Sequence, residues 1–295
     1  MDADVKQHYL DAGKAVQKAK KRARDITEPG KSYSDIAQEL ESVIRSEGLE
    51  PAFPVNLSRN QEAAHYSPGV SSDREVSSSE VLKIDIGAHS SGYIADTAIT
   101  VNPSGERSEM VEEARNLLQQ AVDFVEPGVT VGELGRFVDE RVPQEYNVVR
   151  NLTGHYVDRY TQHAGVSLPN YANDSDHELE VGDAFAVEPF LTDGSGKIKN
   201  GSAGNIYKLE NDRSVRGSKE RELLNSIREF NGLPFSPRWI DGFGAREKMA
   251  LNRLVQQDVV HSYPVLNEVR DGTVVQAEHT VILTEDGKEV TTRPD

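Results

Sequence analysis

The chain has 295 residues and no cysteine. Disulfides and thiolate metal sites are therefore excluded, and any bound metal must be held by oxygen and imidazole. Aromatic residues make up only 6%, with a single tryptophan, Trp239. No run of about 18 apolar residues occurs, which a membrane-spanning helix would need. The amino terminus, MDADVKQHYL, shows no basic stretch followed by an apolar run, so no secretory signal is read there. A cytoplasmic protein without a membrane partner is the expectation. Lysine is sparse, at 13 residues against 20 arginines, and 49 acids outweigh all 33 bases to leave a net charge of −16. Such a charge repels phosphates and argues against a nucleic-acid partner held by electrostatics. The acid is spread along the chain, not gathered in a tail. A diffuse acidic surface with few lysines suits solubility in high salt, where screening removes self-repulsion. A salt-loving (halophilic) source is expected, with an ordinary acidic enzyme as the alternative.

What is present is organised. Hydrophobic residues, 36% in all, are clustered enough to build a core. Residues 3–26 read as a helix. Pro29-Gly30 breaks it, Ser32 precedes Asp35 in a capping-box spacing, and a second helix stops at Gly48. The pattern recurs at residues 112–146: a helix, then Pro127-Gly128, then Thr130 before Glu133, then another helix. This implies an internal duplication of helix, EPG turn, helix and strands, with two halves about a pseudo-two-fold axis and a site between them. Strand signals follow each pair: VLKIDIGA and GYIADTAITV in the first half, DAFAVEPFL and TVVQAEHTVIL in the second. The expected fold class is α+β with a mostly antiparallel sheet. Residues 208–260 depart from the pattern. They read as a helical insertion subdomain, leaving 1–207 and 261–295 as the main domain.

With so many acids, a carboxylate is informative only where its neighbours say it should not face water. Asp85 and Asp96 lie among Ile84, Ile86, Ile94 and Ala95. A hairpin turn centred on Ser90-Ser91 would set them directly opposite, with Cβ atoms roughly 5 Å apart. Like charges there are destabilising, and burying unpaired carboxylates costs several kcal/mol. A divalent cation between them removes the conflict. Glu188 interrupts AFAVEPF and Glu278 interrupts VVQAEHTVIL, repeating the anomaly in the second half. Among eight histidines, His155 follows Gly154, His163 lies eight residues later, and His65 sits at a turn from which a side chain can reach a cleft. His89 and His177 read as exposed turn residues, His279 as structural. Four carboxylates and an imidazole without sulfur suit two divalent ions such as manganese, iron(II), cobalt or zinc. The work expected of them is hydrolysis, by a bridging water acidified toward neutrality attacking a carbonyl polarised by the metals.

These residues carry a resemblance. The segments FPVNLSRNQEAAHYSPG, LKIDIGAHSSGYIADTAITV, RNLTGHYVDRYTQHAG, FAVEPF, NGLPFSPRW and YPVLNEVRDGTVVQAEHTVIL are together similar to type 2 methionine aminopeptidases of the archaeal kind, in peptidase family M24. The resemblance implies the pita-bread fold, two related halves enclosing a dinuclear centre. It implies Asp85 on one metal, Asp96 and Glu278 bridging both, and His155 and Glu188 on the second, with Glu188 also shuttling a proton. His65 would lie near the scissile nitrogen, His163 near the carbonyl oxygen, and Phe53 against the methionine side chain. The implied substrates are amino-terminal Met-Xaa peptides of nascent proteins, with the ribosome as a partner, and a monomer is the default. The Gly-rich DGSGKIKNGSAGNIYKLEN departs from the family pattern and leaves the pocket on that side open. Three other readings stay open: a proline-specific peptidase of the same fold, a non-catalytic relative, and a calcium-stabilised domain.

Overall fold

Each EPG turn ends one helix and launches the next. In the computed structural model, which describes residues 1–293, the first half opens with α1 (Ala3–Ile26) and α2 (Tyr33–Ser46). Strands β1 (Glu50–Pro51), β2 (Asn56–Arg59), β3 (Glu62–Ala64), β4 (Leu82–Ser90) and β5 (Tyr93–Val101) follow. The second half repeats the order with α3 (Ser108–Phe124) and α4 (Val131–Asp139). Then come β6 (Asn147–Val148), β7 (Thr153–Asp158), β8 (Thr161–Pro169), β9 (Ala184–Val187), β10 (Phe190–Thr192) and β11 (Ile198–Leu209). Helices α5 (Ser218–Arg228) and α6 (Ala245–Gln256) stand before β12 (Val260–Glu268), and β13 (Val274–Gln276), β14 (His279–Thr284) and β15 (Gly287–Val290) close the chain.

The local chemistry of the two launches is alike, although only the second completes the reciprocal capping box that the spacing suggests for both. Gly30 and Gly128 adopt φ of 86° and 92°, a region glycine enters without a Cβ clash. The Ser32 hydroxyl accepts from the N–H groups of Ser34 and Asp35, and Thr130 forms a full capping box with Glu133. Ser32 also makes an isolated antiparallel bridge to Glu75, as Thr130 does to Glu178. The duplication read in the sequence is thus present down to its caps.

Among the described residues every ladder is antiparallel. The first half builds a sheet of order β1-β4-β2 with β5 paired to β4, and the second a sheet of order β15-β14-β9-β7-β8. Each carries its own helix pair. Ala19, Ile36 and Leu40 pack on Leu57, Ile84 and Ile99; Leu117, Ala121 and Leu134 pack on Phe185, Val187 and Val281. Helices α5 and α6 enclose a separate cluster of Leu223, Ile227, Leu251 and Leu254. The halves meet where β5 runs against β13 and β14. There the Thr97 and Thr100 hydroxyls donate to the carbonyls of Glu278 and Gln276, each at 2.8 Å.

Two expectations need correction. The β4–β5 turn is Ser91-Gly92, not Ser90-Ser91, because these two residues take positive φ, 51° and 93°, as a tight two-residue hairpin requires. Asp96 therefore faces Gly87, and Asp85 faces Ala98. The shift is two residues, so side-chain parity is kept and both acids stay on one face as diagonal neighbours. His89, read as a turn residue, lies within β4 and is half-buried.

Candidate metal centre

Five of the singled-out residues converge where the halves meet. Asp85 comes from β4, Asp96 from β5 and His155 from β7. Glu188 and Glu278 do not lie inside strands. Glu188-Pro189 separates β9 from β10, and Ala277-Glu278 separates β13 from β14. These two breaks lie side by side, since β9 pairs with β14 and β10 with β13. Pro189 has no N–H to offer the ladder, and the Glu278 N–H turns instead to the Ala98 carbonyl, 3.2 Å away on β5. The broken ladders release both carboxylates toward Asp85 and Asp96.

The ligand atoms are close and dry. Oxygens of Asp96 and Glu278 and a ring nitrogen of His155 lie within 4.8 Å of one another. His155 Nε2 is 3.8 Å from Asp96 Oδ2 and 3.6 Å from Glu188 Oε1. Its Nδ1 is 3.2 Å from the Tyr156 carbonyl. With the proton there, the Nε2 lone pair points at the carboxylates, the orientation a metal-binding imidazole needs. Asp96, His155, Glu188 and Glu278 are buried, and Asp85 is half-buried. Oδ1 of Asp85 and Oδ1 of Asp96 are buried without a hydrogen-bond partner. An unpaired buried carboxylate oxygen is costly, and a cation is the partner that would satisfy both. The donor set of oxygens and one imidazole fits divalent ions of hard to borderline character.

Electrostatics says the same. Burial, then the charges of Asp96 and Glu188, pushes Asp85 well above the ordinary carboxylate range. Burial raises Asp96 to about 7. Glu188 is raised by burial and by Asp96, and Glu278 by burial and by Asp96, Glu188 and Asp85. Without a counter-cation this cluster retains protons near neutrality.

The remaining expected residues border the same cleft, of about 190 Å³: Phe53, His65 and His163. His163, on β8, stacks edge-on to His155 with ring centres 4.3 Å apart. Burial lowers its basicity, and lowers His65 to about 4 and His155 to about 3, so all three imidazoles are neutral at pH 7. His65 follows β3 at φ 67°, a strained conformation for a residue with a Cβ. Strand β11 explains how it is held. Gly204 lies so near that a methyl carbon there would fall 1.9 Å from the His65 carbonyl oxygen. The Gly-rich segment that departs from the family pattern therefore forms a wall of the cleft, and Ile206 from it lines the interior.

Reasoning from charge alone missed neutral residues. Gln276 Nε2 reaches both Glu188 Oε2 and Glu278 Oε2 at 3.3 Å, and Gln162 Nε2 reaches Asp96 Oδ2 at 3.3 Å. Tyr263 sets its ring edge-on to His65 at 5.3 Å. The available signal was position. Gln276 stands two residues before Glu278, and Gln162 directly precedes His163.

Comparison with known proteins agrees. The model of metallopeptidase family M24 matches residues 7–285. A methionine aminopeptidase of Methanocaldococcus jannaschii is 39% identical over 295 residues, spanning 99% of this chain and 100% of that protein. One of Pyrococcus abyssi is 40% identical, again spanning 99% and 100%. Among solved structures, the methionine aminopeptidase of Thermotoga maritima superposes with a TM-score of 0.71 at 21% identity, covering 100% of this chain and 98% of that one; at that identity the likeness speaks for the pita-bread fold alone. Full-length relatedness to the archaeal enzymes makes metal-dependent removal of amino-terminal methionine the activity of this chain, which belongs to metallopeptidase family M24.

Proposed function

We propose that Asp85, Asp96, His155, Glu188 and Glu278 hold two divalent cations, and that the cleft beside them takes the amino-terminal methionine of a peptide. One observation carries the ligand set: four carboxyls and a neutral imidazole from both halves converge in a buried space where two carboxyl oxygens lack partners. Asp85 would help hold one cation and His155 and Glu188 the other, with Asp96 and Glu278 shared between the two. When bound, manganese, iron(II), cobalt or zinc would supply Lewis acidity to the scissile carbonyl and acidify water toward neutrality. Neutral His163 donates to the carbonyl oxygen as negative charge grows there. His65 attends the scissile nitrogen, and Glu188 moves the proton from water to the leaving amine. Phe53 borders the methionine side chain, and the acids of the cleft attract the peptide's ammonium group.

On this reading the substrates are nascent chains leaving the ribosome in the cytoplasm, in a high-salt cell. Residues 208–260 form an inserted lobe on a catalytic domain of 1–207 and 261–295; the separate apolar cluster of α5 and α6 supports that division. The chain works as a monomer on this reading; the exposed large apolar residues among those described are five, Met1, Val70, Val181, Met249 and Val269, too few for an extensive apolar face. Cleavage of Met-Gly-Xaa and Xaa-Pro peptides by chelated protein, before and after adding manganese or cobalt, tests the whole reading. Turnover of the methionine peptide only with metal is expected. Turnover of the proline peptide instead would overturn it.

A further inference from the structure

Lys20 lies toward the carboxy-terminal end of α1 and is only 3% exposed. Burying an ammonium is costly unless something specific compensates it. Both of its hydrogen-bond acceptors are neutral: the Thr292 carbonyl at 2.6 Å and Thr97 Oγ1 at 3.2 Å. A methionine would pack in this place without that cost, so bulk alone does not explain the lysine.

The two acceptors lead to the two acids assigned here as bridges. Thr97 Oγ1, which accepts from Lys20, donates to the Glu278 carbonyl at 2.8 Å. On the other side, Thr292 Oγ1 accepts from the Thr280 N–H at 3.1 Å. The Thr280 hydroxyl in turn lies 2.8 Å from both the N–H and the carbonyl of Asp96. Lys20 joins the two arms of this network, one at the Thr97 hydroxyl on β5 and the other at the backbone carbonyl of Thr292, whose own hydroxyl meets β14. The helix is itself seated on the carboxy-terminal segment. Gln17 Nε2 donates to the Thr291 carbonyl at 2.8 Å, and Gly13 leaves no room for a Cβ, which would come 2.2 Å from that oxygen.

We propose that Lys20 is a positioning residue for the metal centre: acting through Thr97 and Thr292, it fixes the backbones of Asp96 and Glu278 and so the gap between their carboxylates. The inference rests on the ligand assignment given above. A hydroxyl behind each acid sets where its backbone sits, Thr97 Oγ1 behind Glu278 and Thr280 Oγ1 behind Asp96; Lys20 holds the first directly and reaches the second through Thr292, so one side chain links the two placements. Outer partners of this kind typically change metal affinity by about 10–100-fold when removed.

Calorimetric titration of chelated protein with manganese tests it, using Lys20→Met, Thr97→Val, Thr97→Ser and the Lys20→Met/Thr97→Val double variant, with circular dichroism to check folding. Lys20→Met and Thr97→Val should each weaken manganese binding by about 10–100-fold, while Thr97→Ser keeps the hydroxyl and binds as the unaltered protein does. The double variant should be no weaker than the worse single one, because both cut the same chain. Unaltered binding in Lys20→Met and Thr97→Val, or losses that multiply in the double variant, would overturn the proposal. Should Lys20→Met not fold, Thr97→Val against Thr97→Ser decides alone, and equal binding by those two sinks it. Glu278→Gln separates the two readings. If it binds as the unaltered protein does, the ligand assignment fails. If it binds weakly while Lys20→Met does not, only the role of Lys20 fails.

Discussion

Burial sets the charge of the four carboxyls and three imidazoles in the cleft, and their neighbours add to it. The acids are pushed up and the histidines down, so the metal-free cleft tends toward neutral groups on both sides of the titration. The sign of the pH dependence follows. Asp96 holds its proton to about pH 7 in the folded protein, whereas in the unfolded chain an aspartate loses it near 3.9. The folded state then binds more protons, and stability is lost as pH rises through the folded value. The histidines act oppositely, being half titrated at their unfolded value of about 6.5, and so do Lys20 and Lys83, which burial lowers to about 7. The melting temperature of chelated protein therefore mixes both signs, and the difference made by metal isolates the acids. Between about pH 6 and 8 the stabilisation given by added manganese should grow with pH, because the metal replaces protons that the cluster holds at the lower end. A stabilisation that does not change with pH in this window would contradict the charge assignment. Asp96→Asn should lose metal content and rate together. His163→Ala should keep its metal while its rate falls by about 10²–10³-fold, the usual cost of one transition-state donor; an unchanged rate would remove His163 from the mechanism. The charged members of the site were legible because an acid among isoleucines is an anomaly in any register. Gln162 and Gln276 were not, because a neutral amide raises no such conflict.

Elements explain what spacing could not. The sequence pattern locates the β4–β5 hairpin and places Asp85 and Asp96 on one face, yet the turn residues decide the pairing, and two positive-φ residues moved it by two places. The helical pairs were readable to their caps, since a threonine before a glutamate states its own geometry. The breaks at Glu188 and Glu278 were not, because each short apolar run reads as one strand until its partners are known. The shifted register brings Gly87 opposite Asp96, and there the absence of a side chain matters. A Cβ at Gly87 would lie 2.2 Å from Phe53 Cε1. Gly87→Ala should displace the ring, lower stability by about 1–3 kcal/mol, and raise KM for a methionine peptide more than it changes kcat. If KM stays put while denaturant titration shows the destabilisation, Phe53 does not border the substrate. The inserted helices are pinned by a second device. Arg238 forms a two-pronged pair with Glu41 of α2 at 2.9 and 2.8 Å, and Trp239 Nε1 adds a bond at 2.8 Å. The two side chains are 6% and 2% exposed. Arg238→Met would strand a buried carboxylate, a loss of about 3–5 kcal/mol measurable by urea unfolding. A loss under about 1 kcal/mol would mean that the pair is hydrated and marginal, as exposed pairs are.

At the scale of the whole molecule, charge opposes folding. A net charge of −16 from 49 acids and 33 bases is a self-repulsion that compaction makes worse. Ion pairs offset part of it, but most are exposed, such as Arg228 with Asp212 and Lys219 with Glu222. Pairs of that kind contribute about 0.2–1 kcal/mol at most, and salt weakens them. Two salt effects therefore compete: screening relieves the net repulsion and also erodes the pairs. The repulsion should win, because at 0.1 M each excess acid still feels the several others within about 10 Å, while each pair is a single local term. Raising potassium chloride from 0.1 to 1 M shortens the screening length from about 10 Å to about 3 Å, below the spacing of most surface charges. The melting temperature should climb over that range in metal-loaded protein. Metal saturation must be kept throughout, so that the trend reports the surface and not the dry cluster of acids, which salt screens far less. A melting temperature that falls with potassium chloride would show that local pairs outweigh the net charge, and the case for a salt-adapted surface would go with it.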